Sequence, residues 1–536
     1  MLETRGARCD DCAPMRSLDR RTRDALLCGL VLCQLAYSWM YSAISVPNER
    51  TRMYLTVALV DHGTFAIDAP LQRFGRVYDL ARFGGHYYTD KAPGASLLAV
   101  PVYALARLTQ PAAAFSANDV INLVRTYLML PIALLGFIVL RSLLRALKVS
   151  EPSVDVCSLG FSLGSPMLHY GAAFYGHALV AVATLGCLRC LAWAGVLLPA
   201  DADAGSSWRR RAAALLGAGA CAGFCGLAEY QAVVLAGLLG LPLLLRCTRA
   251  WLPDLGCFAL GALPFAITLL AYNARAFGGP FALSYQHLVG ESLQDLHGYG
   301  LAGATHPQWG ALTGLLFSQH RGLLFTAPLA ALGLVATTLC QRWLPRALWS
   351  VIGTATLYFV LIVASSSVWY GGWGFGPRLL VPVLGLLAIA AAVTMEALRA
   401  YTIIPVLVRA SVIAGMIYQQ LVHVTFAELP PEFAHPLADS ALPLLRAGMA
   451  APNLACKLLP LSAANWLGAG LLLACTVAIA SGVGTPLRMR TRWASLSVAA
   501  LCLIPLFVAA PTDGDVGVAK WQRQVQSWHG AEERCR

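Results

Sequence analysis

Long runs of apolar residues, separated by short clusters of basic residues, make up most of the chain. Most runs are about 20 residues long, the length that a helix needs to cross a hydrocarbon core of about 30 Å. A segment in a bilayer must satisfy its own backbone hydrogen bonds, and these runs are too long and too uniformly apolar for barrel strands. The pattern therefore predicts an all-α, polytopic transmembrane helical bundle.

Basic residues that are retained in the cytoplasm set the orientation of the predicted spans. The first apolar run, 25–46, is preceded closely by Arg16, Arg20, Arg21 and Arg23, which indicate a cytoplasmic N-terminus. The run 95–108 is short for a crossing, and counting it as a span would invert every later loop, so we expect a helix on the membrane surface. The remaining spans are predicted between 118 and Arg141, twice within 153–198, twice within 212–245, and at 253–274, 322–341, 348–367, 378–397, 408–426, 464–483 and 493–510.

This arrangement gives about thirteen spans and places the C-terminus outside. It divides the chain into a basic cytoplasmic tail over 1–24, a transmembrane domain over 25–510, and a short outer tail over 511–536. The first outer loop, 47–118, carries several basic residues, but loops longer than about 60 residues translocate largely regardless of their charge. We expect a multi-pass integral protein of the cytoplasmic (inner) membrane.

Composition agrees with a membrane protein and argues against a nucleic-acid partner. Of the 536 residues, 58% are hydrophobic and 12% are charged, whereas soluble domains carry roughly twice that charged fraction. The net charge of +12 comes from scattered clusters rather than from one basic patch, so no nucleic acid is predicted to bind. Cys9 and Cys12 form a CxxC without a second pair, and we interpret them as unpaired thiols rather than a zinc site.

The first outer loop opens with Pro47-Asn48-Glu49-Arg50, directly after the first span. Asn48 is a favourable N-cap, and apolar residues recur at helical spacing until Gly63 can end the helix. Glu49 would lie in the first turn, where the helix dipole favours its ionised form, and could act as a general base toward a hydroxyl. The alternative is that Glu49 only charges the start of a helix.

The same loop ends with Gly-His-Tyr-Tyr-Thr-Asp-Lys-Ala-Pro-Gly over 85–94. Lys91 precedes a turn that would direct the next helix along the membrane, where its ammonium could bind a lipid phosphate. The alternative is an interfacial lysine that extends to ordinary headgroups.

Further polar residues are predicted at the outer ends of spans. Arg321 and Arg378 each adjoin a span, where they could hold a phosphate through two hydrogen bonds or only anchor a helix end. Glu229 lies in an apolar hairpin, and ionisable groups at membrane depth usually face a cavity. The remaining candidates are His169, Tyr170, Tyr175 and His177 at the second outer turn and the glycine- and aromatic-rich loop 369–378.

Together these features resemble the C-type glycosyltransferases, polytopic enzymes that use polyprenyl-phosphate-linked sugars. The layout over about 25–400 is similar to protein O-mannosyltransferases and the aminoarabinose transferase of lipid A, and Asp90–Gly94 is similar to an acidic-Lys-Pro-Pro element of the latter. The resemblance implies that Glu49 is the base or acceptor-orienting group, and that Asp90 and Lys91 approach the donor phosphate. The family's second acidic residue is absent from the second outer turn, where His169 and His177 stand instead.

The resemblance implies transfer of a sugar from a polyprenyl-phosphate donor to an envelope glycan, lipid or protein by a single inverting displacement. Asp90 and Glu49 are then the expected catalytic residues, and no cofactor is required, although a divalent metal remains compatible with the family. The expected phosphate- and substrate-binding residues are Arg50, His86, Lys91, His177, Arg321 and Arg378. The alternatives are a lipid-linked sugar flippase or transporter, and a catalytically inactive scaffold relative.

Overall fold

The computed structural model describes residues 19–37, 46–198, 208–245, 251–290, 303–447, 449–451, 453–454, 461–482 and 489–508. Most of the predicted N-terminal tail, the Cys9 and Cys12 pair, and the predicted C-terminal tail lie outside these residues. Within the described part the chain is predominantly helical, as the apolar runs predict.

The first half of the described chain contains eleven helices and one pair of strands. The helices are α1 (Arg20–Tyr37), α2 (Pro47–Val57), α3 (Asp68–Phe74), α4 (Gly94–Arg107), α5 (Ala117–Val124), α6 (Leu130–Ala146), α7 (Glu151–Ser162), α8 (Met167–Ala172), α9 (Gly176–Trp193), α10 (Trp208–Ala228) and α11 (Ala232–Leu239). The strands are β1 (Leu80–Phe83) and β2 (His86–Thr89), which pair antiparallel.

All regular secondary structure in the second half of the described chain is helical. Its helices are α12 (Leu241–Leu244), α13 (Trp251–Phe277), α14 (Trp309–Phe317), α15 (Leu323–Thr326), α16 (Pro328–Leu339), α17 (Arg346–Ala364), α18 (Val381–Ala397), α19 (Ile403–His423), α20 (Leu442–Arg446), α21 (Leu461–Ser481) and α22 (Met489–Val508).

Seven helices of the described part are long and apolar enough to cross a membrane. They are Ala117–Ala146, Gly176–Trp193, Trp208–Ala228, Trp251–Phe277, Arg346–Ala364, Arg378–Ala397 and Ile403–His423. The helices occur where spans are predicted and break where turns are predicted, between α8 and α9 and at Glu229. The chain is therefore built as an integral membrane protein. The count of thirteen crossings, their orientation and the surface position of α4 stay predictions.

Two details of the first outer loop differ from the sequence prediction. The N-cap of α2 is Val46, and Asn48 lies inside the helix because Pro47 occupies its first turn, a position where the missing N–H costs nothing. The all-α prediction also overlooks β1 and β2, which are joined by Gly84 and Gly85 at φ values of 58° and 89°. A two-residue Gly-Gly turn with positive φ at both positions is a strong hairpin signal.

Helix α18 lies at the centre of the bundle and is buried along nearly its whole length. A helix that is apolar on every side is stable only when neighbours surround it, and α18 packs against α7, α9, α16 and α17. Elsewhere in the bundle, α10 packs closely on α13: a Cβ at Gly219 would lie 1.8 Å from the Phe258 carbonyl oxygen. Small residues thus allow these two backbones to approach each other, as in many membrane helix pairs.

An ion-pair network ties α1, α6 and α7 together at one end of the bundle. Arg141 donates to Asp155 at 2.7 Å, and Arg23 also pairs with Asp155. Arg145 contacts Glu151 at 2.8 Å and Asp24 at 2.7 Å. These contacts fix the end of the bundle that the basic turns predict to be cytoplasmic.

Candidate active site

A polar cluster lies at the opposite end of the bundle, where loops from distant parts of the chain meet. Helix α9 connects the two ends, since it begins beside this cluster at Gly176 and ends at Trp193 near the basic turns. Most of the side chains in the cluster are buried. Its members are Arg52, Asp79, Asp90, Lys91, His169, Tyr170, Tyr175, His177, Glu229, Arg321, Arg378 and Glu428.

Lys91 lies between two carboxylates. Its Nζ is 2.7 Å from Asp90 Oδ2 and 3.0 Å from Asp79 Oδ2. The hydroxyl of Ser284 donates to the backbone carbonyl of Asp90 at 2.7 Å, which ties this segment to the loop after α13. An ammonium has three donors, so one N–H of Lys91 has no carboxylate partner among the described residues and could bind another ligand.

The electrostatics of this group favour a charged lysine and a basic Asp90. Burial raises the pKa of Asp90 to about 6, although Lys91 opposes the shift. Burial alone would lower the pKa of Lys91, but Asp79 and Asp90 raise it above its ordinary value. Asp90 Oδ1 is buried and has no hydrogen-bond partner among the described residues. Such an oxygen is available to accept a proton or a hydroxyl hydrogen from a ligand.

Arg52 and Glu229 form the middle of the cluster. Arg52 Nη2 donates to Glu229 Oε1 at 2.7 Å, and Arg52 Nε donates to Asn48 at 3.0 Å. His177 Nδ1 lies 3.7 Å from the same carboxylate oxygen. Burial raises the pKa of Glu229, but Arg52 and His177 outweigh it and lower the pKa below its ordinary value. Glu229 is therefore ionised and held in place by α2 and α9.

Glu428 supplies a fourth carboxylate to the cluster. Its Oε1 accepts from the Tyr175 hydroxyl at 3.0 Å and lies 3.0 Å from His169 Nε2. His169 Nδ1 in turn lies 3.1 Å from His423 Nε2. Glu428 Oε2 is buried without a hydrogen-bond partner in the described residues. Burial raises the pKa of Glu428, but the hydrogen bond from His169 and nearby Arg378 lower it overall.

The glycine- and aromatic-rich loop closes the cluster. Arg321 donates to the carbonyls of Gly372 at 2.7 Å and Gly376 at 3.2 Å, so it supports the loop. Arg378 donates to the Trp373 carbonyl, and its guanidinium lies 5.8 Å from the centre of the Tyr175 ring. Arg378 interacts electrostatically with the carboxylates of Asp79 and Glu428.

Glu49 is fully buried. Its carboxylate pairs with Arg125, and its Oε1 accepts from the Phe174 backbone N–H at 2.7 Å. Both side chains of the ion pair are inaccessible to solvent. Glu49 therefore connects α2 to the turn that carries His169 and His177.

The structure brings together five of the eight predicted site residues: Asp90, Lys91, His177, Arg321 and Arg378. His86 lies at the exposed turn of the β-hairpin, where its Nδ1 is 2.9 Å from Asp68. Arg50 is half-buried on α2 near Tyr54.

Sequence reasoning missed Arg52, Asp79 and Glu428 as members of the cluster. Glu428 follows the predicted span 408–426, so the outer-end position that selected Arg321 and Arg378 could have selected it. Asp79 carries no comparable signal, because only the β-hairpin turns it toward Lys91.

The carboxylates of the cluster do not suit a divalent metal. Within the described residues, no group of three or more His, Cys, Asp or Glu residues is arranged to hold one. Asp79 and Asp90 face each other across Lys91, whose ammonium occupies the place between them that a cation would take.

The sequence matches no protein-family model and no curated protein. The fold of this chain, however, resembles those of several solved structures. The apo structure of ArnT from Cupriavidus metallidurans matches with a TM-score of 0.50 and 16% identity, over 89% of this chain and 76% of that chain. ArnT from the same organism bound to undecaprenyl phosphate matches with a TM-score of 0.45 and 14% identity, over 89% and 78%. The arabinosyltransferase EmbB from Mycobacterium smegmatis matches with 0.43 and 12%, over 93% of this chain and 42% of that chain.

At this level of identity the likeness is one of fold. The overall fold of the chain is similar to that of ArnT, in agreement with the fold that the resemblance predicts.

Proposed function

We propose that this protein is a membrane glycosyltransferase that moves a sugar from a polyprenyl-phosphate donor to an acceptor at the outer face of the inner membrane. The fold likeness to ArnT supports the class, and ArnT has also been solved with undecaprenyl phosphate. The basic turns at the other end of the bundle support the outer location.

One observation carries the proposal. Two buried carboxylates, Asp90 and Glu428, each keep one oxygen without a partner among the described residues, in the same cluster as the four cationic side chains of Arg52, Lys91, Arg321 and Arg378. Unpaired buried polar atoms are costly unless a ligand satisfies them. Carboxylate oxygens accept from hydroxyls, and Lys91 with the arginines attracts phosphate. A sugar joined to a phosphate has both kinds of group.

The lysine and arginines would bind the leaving group. The third N–H of Lys91 would donate to the donor phosphate, and Arg378 would lie on the opposite side of that phosphate. As the bond between the anomeric carbon and the phosphate oxygen breaks, its electron pair moves to that oxygen. Cations fixed in a buried site stabilise this developing charge strongly.

Asp90 would activate the acceptor. Its unpartnered Oδ1 takes the proton of the acceptor hydroxyl while the hydroxyl oxygen attacks the anomeric carbon, and this single displacement inverts the configuration. Glu428 Oε2 would accept a hydrogen bond from a sugar hydroxyl and orient the ring. Arg125 and the Phe174 N–H already donate to the Glu49 carboxylate, so we infer that Glu49 positions the second outer turn. His86 and Arg50 stay predictions as phosphate contacts.

The test is transfer of labelled sugar from defined polyprenyl-phosphate sugars by the purified protein in lipid. Lys91→Ala should reduce turnover at least tenfold, since it removes a donor to the leaving phosphate. Arg107→Ala is the matched control, because Arg107 lies in the same loop but pairs with Asp61 on the half-exposed side of α4.

Turnover that Lys91→Ala lowers and Arg107→Ala leaves unchanged would support the transferase. Tight donor binding without turnover by the wild type would contradict it and favour a flippase or scaffold.

A further inference from the structure

A cavity with a volume of about 1110 Å³ lies far from the polar cluster. Helix α9 runs from His177, in the cluster, to Trp193, which lines the cavity, and the sixteen-residue separation corresponds to about 24 Å. The ends of α6 and α9, the start of α10 and the turn at 343–345 enclose it. Its charged and aromatic lining residues are Lys148, Arg189, Trp193, Arg210, Arg211 and Trp343.

The described lining of this cavity is basic. Four basic side chains line it, and its lining contains no acidic residue within the described chain. Arg211 is neutralised by Asp254, which it contacts at 2.9 Å. Arg189, in contrast, donates to the Ser142 hydroxyl at 2.8 Å and lies 4.4 Å from the Trp193 ring centre, with no carboxylate within ion-pair distance among the described residues. A half-buried guanidinium without a counter-ion attracts an anion.

Lys148 adds a second, independent observation. Among the described residues it is the one non-glycine with positive φ, at 59°. It ends α6 in a Schellman motif, in which its N–H donates to the Arg145 carbonyl at 2.9 Å and Val149 donates to Leu144 at 3.1 Å. Glycine is the favoured residue at this position. The chain instead has a lysine in this strained backbone conformation. The Lys148 side chain is exposed and lines the cavity.

We propose that this cavity binds the phosphate headgroup of an anionic phospholipid from the leaflet opposite to the active site. The apolar part of the lining, with Leu147, Leu198 and Leu344, would contact the glycerol and the upper acyl carbons. Tryptophan rings are typical of the depth at which headgroups lie. The volume of about 1110 Å³ exceeds what an isolated phosphate needs and is slightly above the range of about 300–1,000 Å³ that is usual for small-molecule pockets. The membrane itself supplies such a ligand at high local concentration.

The proposal is tested by titrating the purified full-length protein with phosphatidylglycerol or phosphatidylcholine and following lipid binding by native mass spectrometry. Phosphatidylglycerol should bind more tightly than phosphatidylcholine. Lys148→Gly should weaken phosphatidylglycerol binding by about fivefold, the usual effect of one cation near an anionic headgroup. This variant keeps the left-handed backbone, which glycine adopts without strain, so loss of folding would not explain the change. Arg189→Gln should weaken binding by a similar factor.

Arg399→Gln is the matched control, because Arg399 follows α18 at the same end of the bundle but is exposed and paired with Glu396. Equal weakening by Arg399→Gln would overturn the proposal in favour of unspecific attraction to this face. Equal affinity for the two lipids would also overturn it. Inorganic phosphate that displaces phosphatidylglycerol at submillimolar concentration would assign the cavity to a soluble anion instead. Asp201 and Asp203 lie outside the described residues. If lipid binds only after both are changed to Asn, the cavity would be assigned to this acidic segment of the chain instead.

Discussion

Glu49 and Arg125 are 76 positions apart in the chain and form an ion pair in which both side chains are fully buried. Arg125 Nε donates to Glu49 Oε1 at 2.9 Å, and its Nη2 contacts Oε2. The Phe174 N–H completes the site at 2.7 Å. One carboxylate thereby fixes α2, the helix that leads into α6, and the turn that carries two histidines of the polar cluster.

Glu49→Gln should therefore act mainly on stability. Removing one partner of a buried ion pair leaves the other charge uncompensated and typically costs about 3–5 kcal/mol. We expect a clear fall in the thermal unfolding midpoint in detergent without donor, and a smaller loss in the double variant Glu49→Gln/Arg125→Met than the two single changes add up to. An unchanged midpoint combined with loss of sugar transfer would instead make Glu49 the base.

Asp90→Asn should lower kcat by about 10²–10⁴-fold, the usual contribution of a general base. Because the pKa of Asp90 is raised to about 6, the carboxylate is protonated below that pH and cannot accept the acceptor's proton. Wild-type turnover should therefore rise with pH through about 6 and level off above it, and the residual rate of Asp90→Asn should lack this rise. Asp61→Asn is the control, since Asp61 pairs with Arg107 and Tyr103 in the same loop. A pH rise that survives in Asp90→Asn would assign the base elsewhere.

Glu428→Gln should reduce kcat/KM by about 10- to 150-fold, because a hydrogen bond to a charged group contributes about 1.5–3 kcal/mol. If Glu428 orients the sugar, its loss should also reduce discrimination between sugar epimers with the same lipid. Competition between two epimeric donors measures this directly. Equal loss for every donor would show that Glu428 only supports His169 and Tyr175.

Gly176→Ala should disrupt the centre of the cluster. An added Cβ would lie 2.2 Å from Glu229 Oε1 and 2.7 Å from the Ala228 carbonyl oxygen, so the Arg52 to Glu229 ion pair must shift. Overpacking of this kind costs about 1–3 kcal/mol. Gly237→Ala is the matched control, since its Cβ would meet nothing within 4 Å and alanine favours a helix over glycine. Gly176→Ala should unfold at a lower temperature than Gly237→Ala. Equal thermal unfolding midpoints would contradict the close contact between Gly176 and Glu229.

Several residues of the site could be selected from the sequence, but their spatial arrangement could not. Asp90, Lys91, Arg321 and Arg378 could be selected because each stands at the predicted outer end of a span or surface helix. Their partners could not, because Lys91 meets Asp79 through a hairpin and His169 meets Glu428 across 259 positions of the chain. No local pattern records such a distance.

The helical class and the positions of most helices could be predicted from the amino-acid pattern alone. These follow from local rules: run length against bilayer thickness, and the placement of basic turns. Two features are visible only in the folded chain: Arg125 encloses Glu49, and Lys148 and Arg189 line one cavity. Each depends on side chains from distant segments competing for the same partner, which packing resolves and periodicity cannot encode.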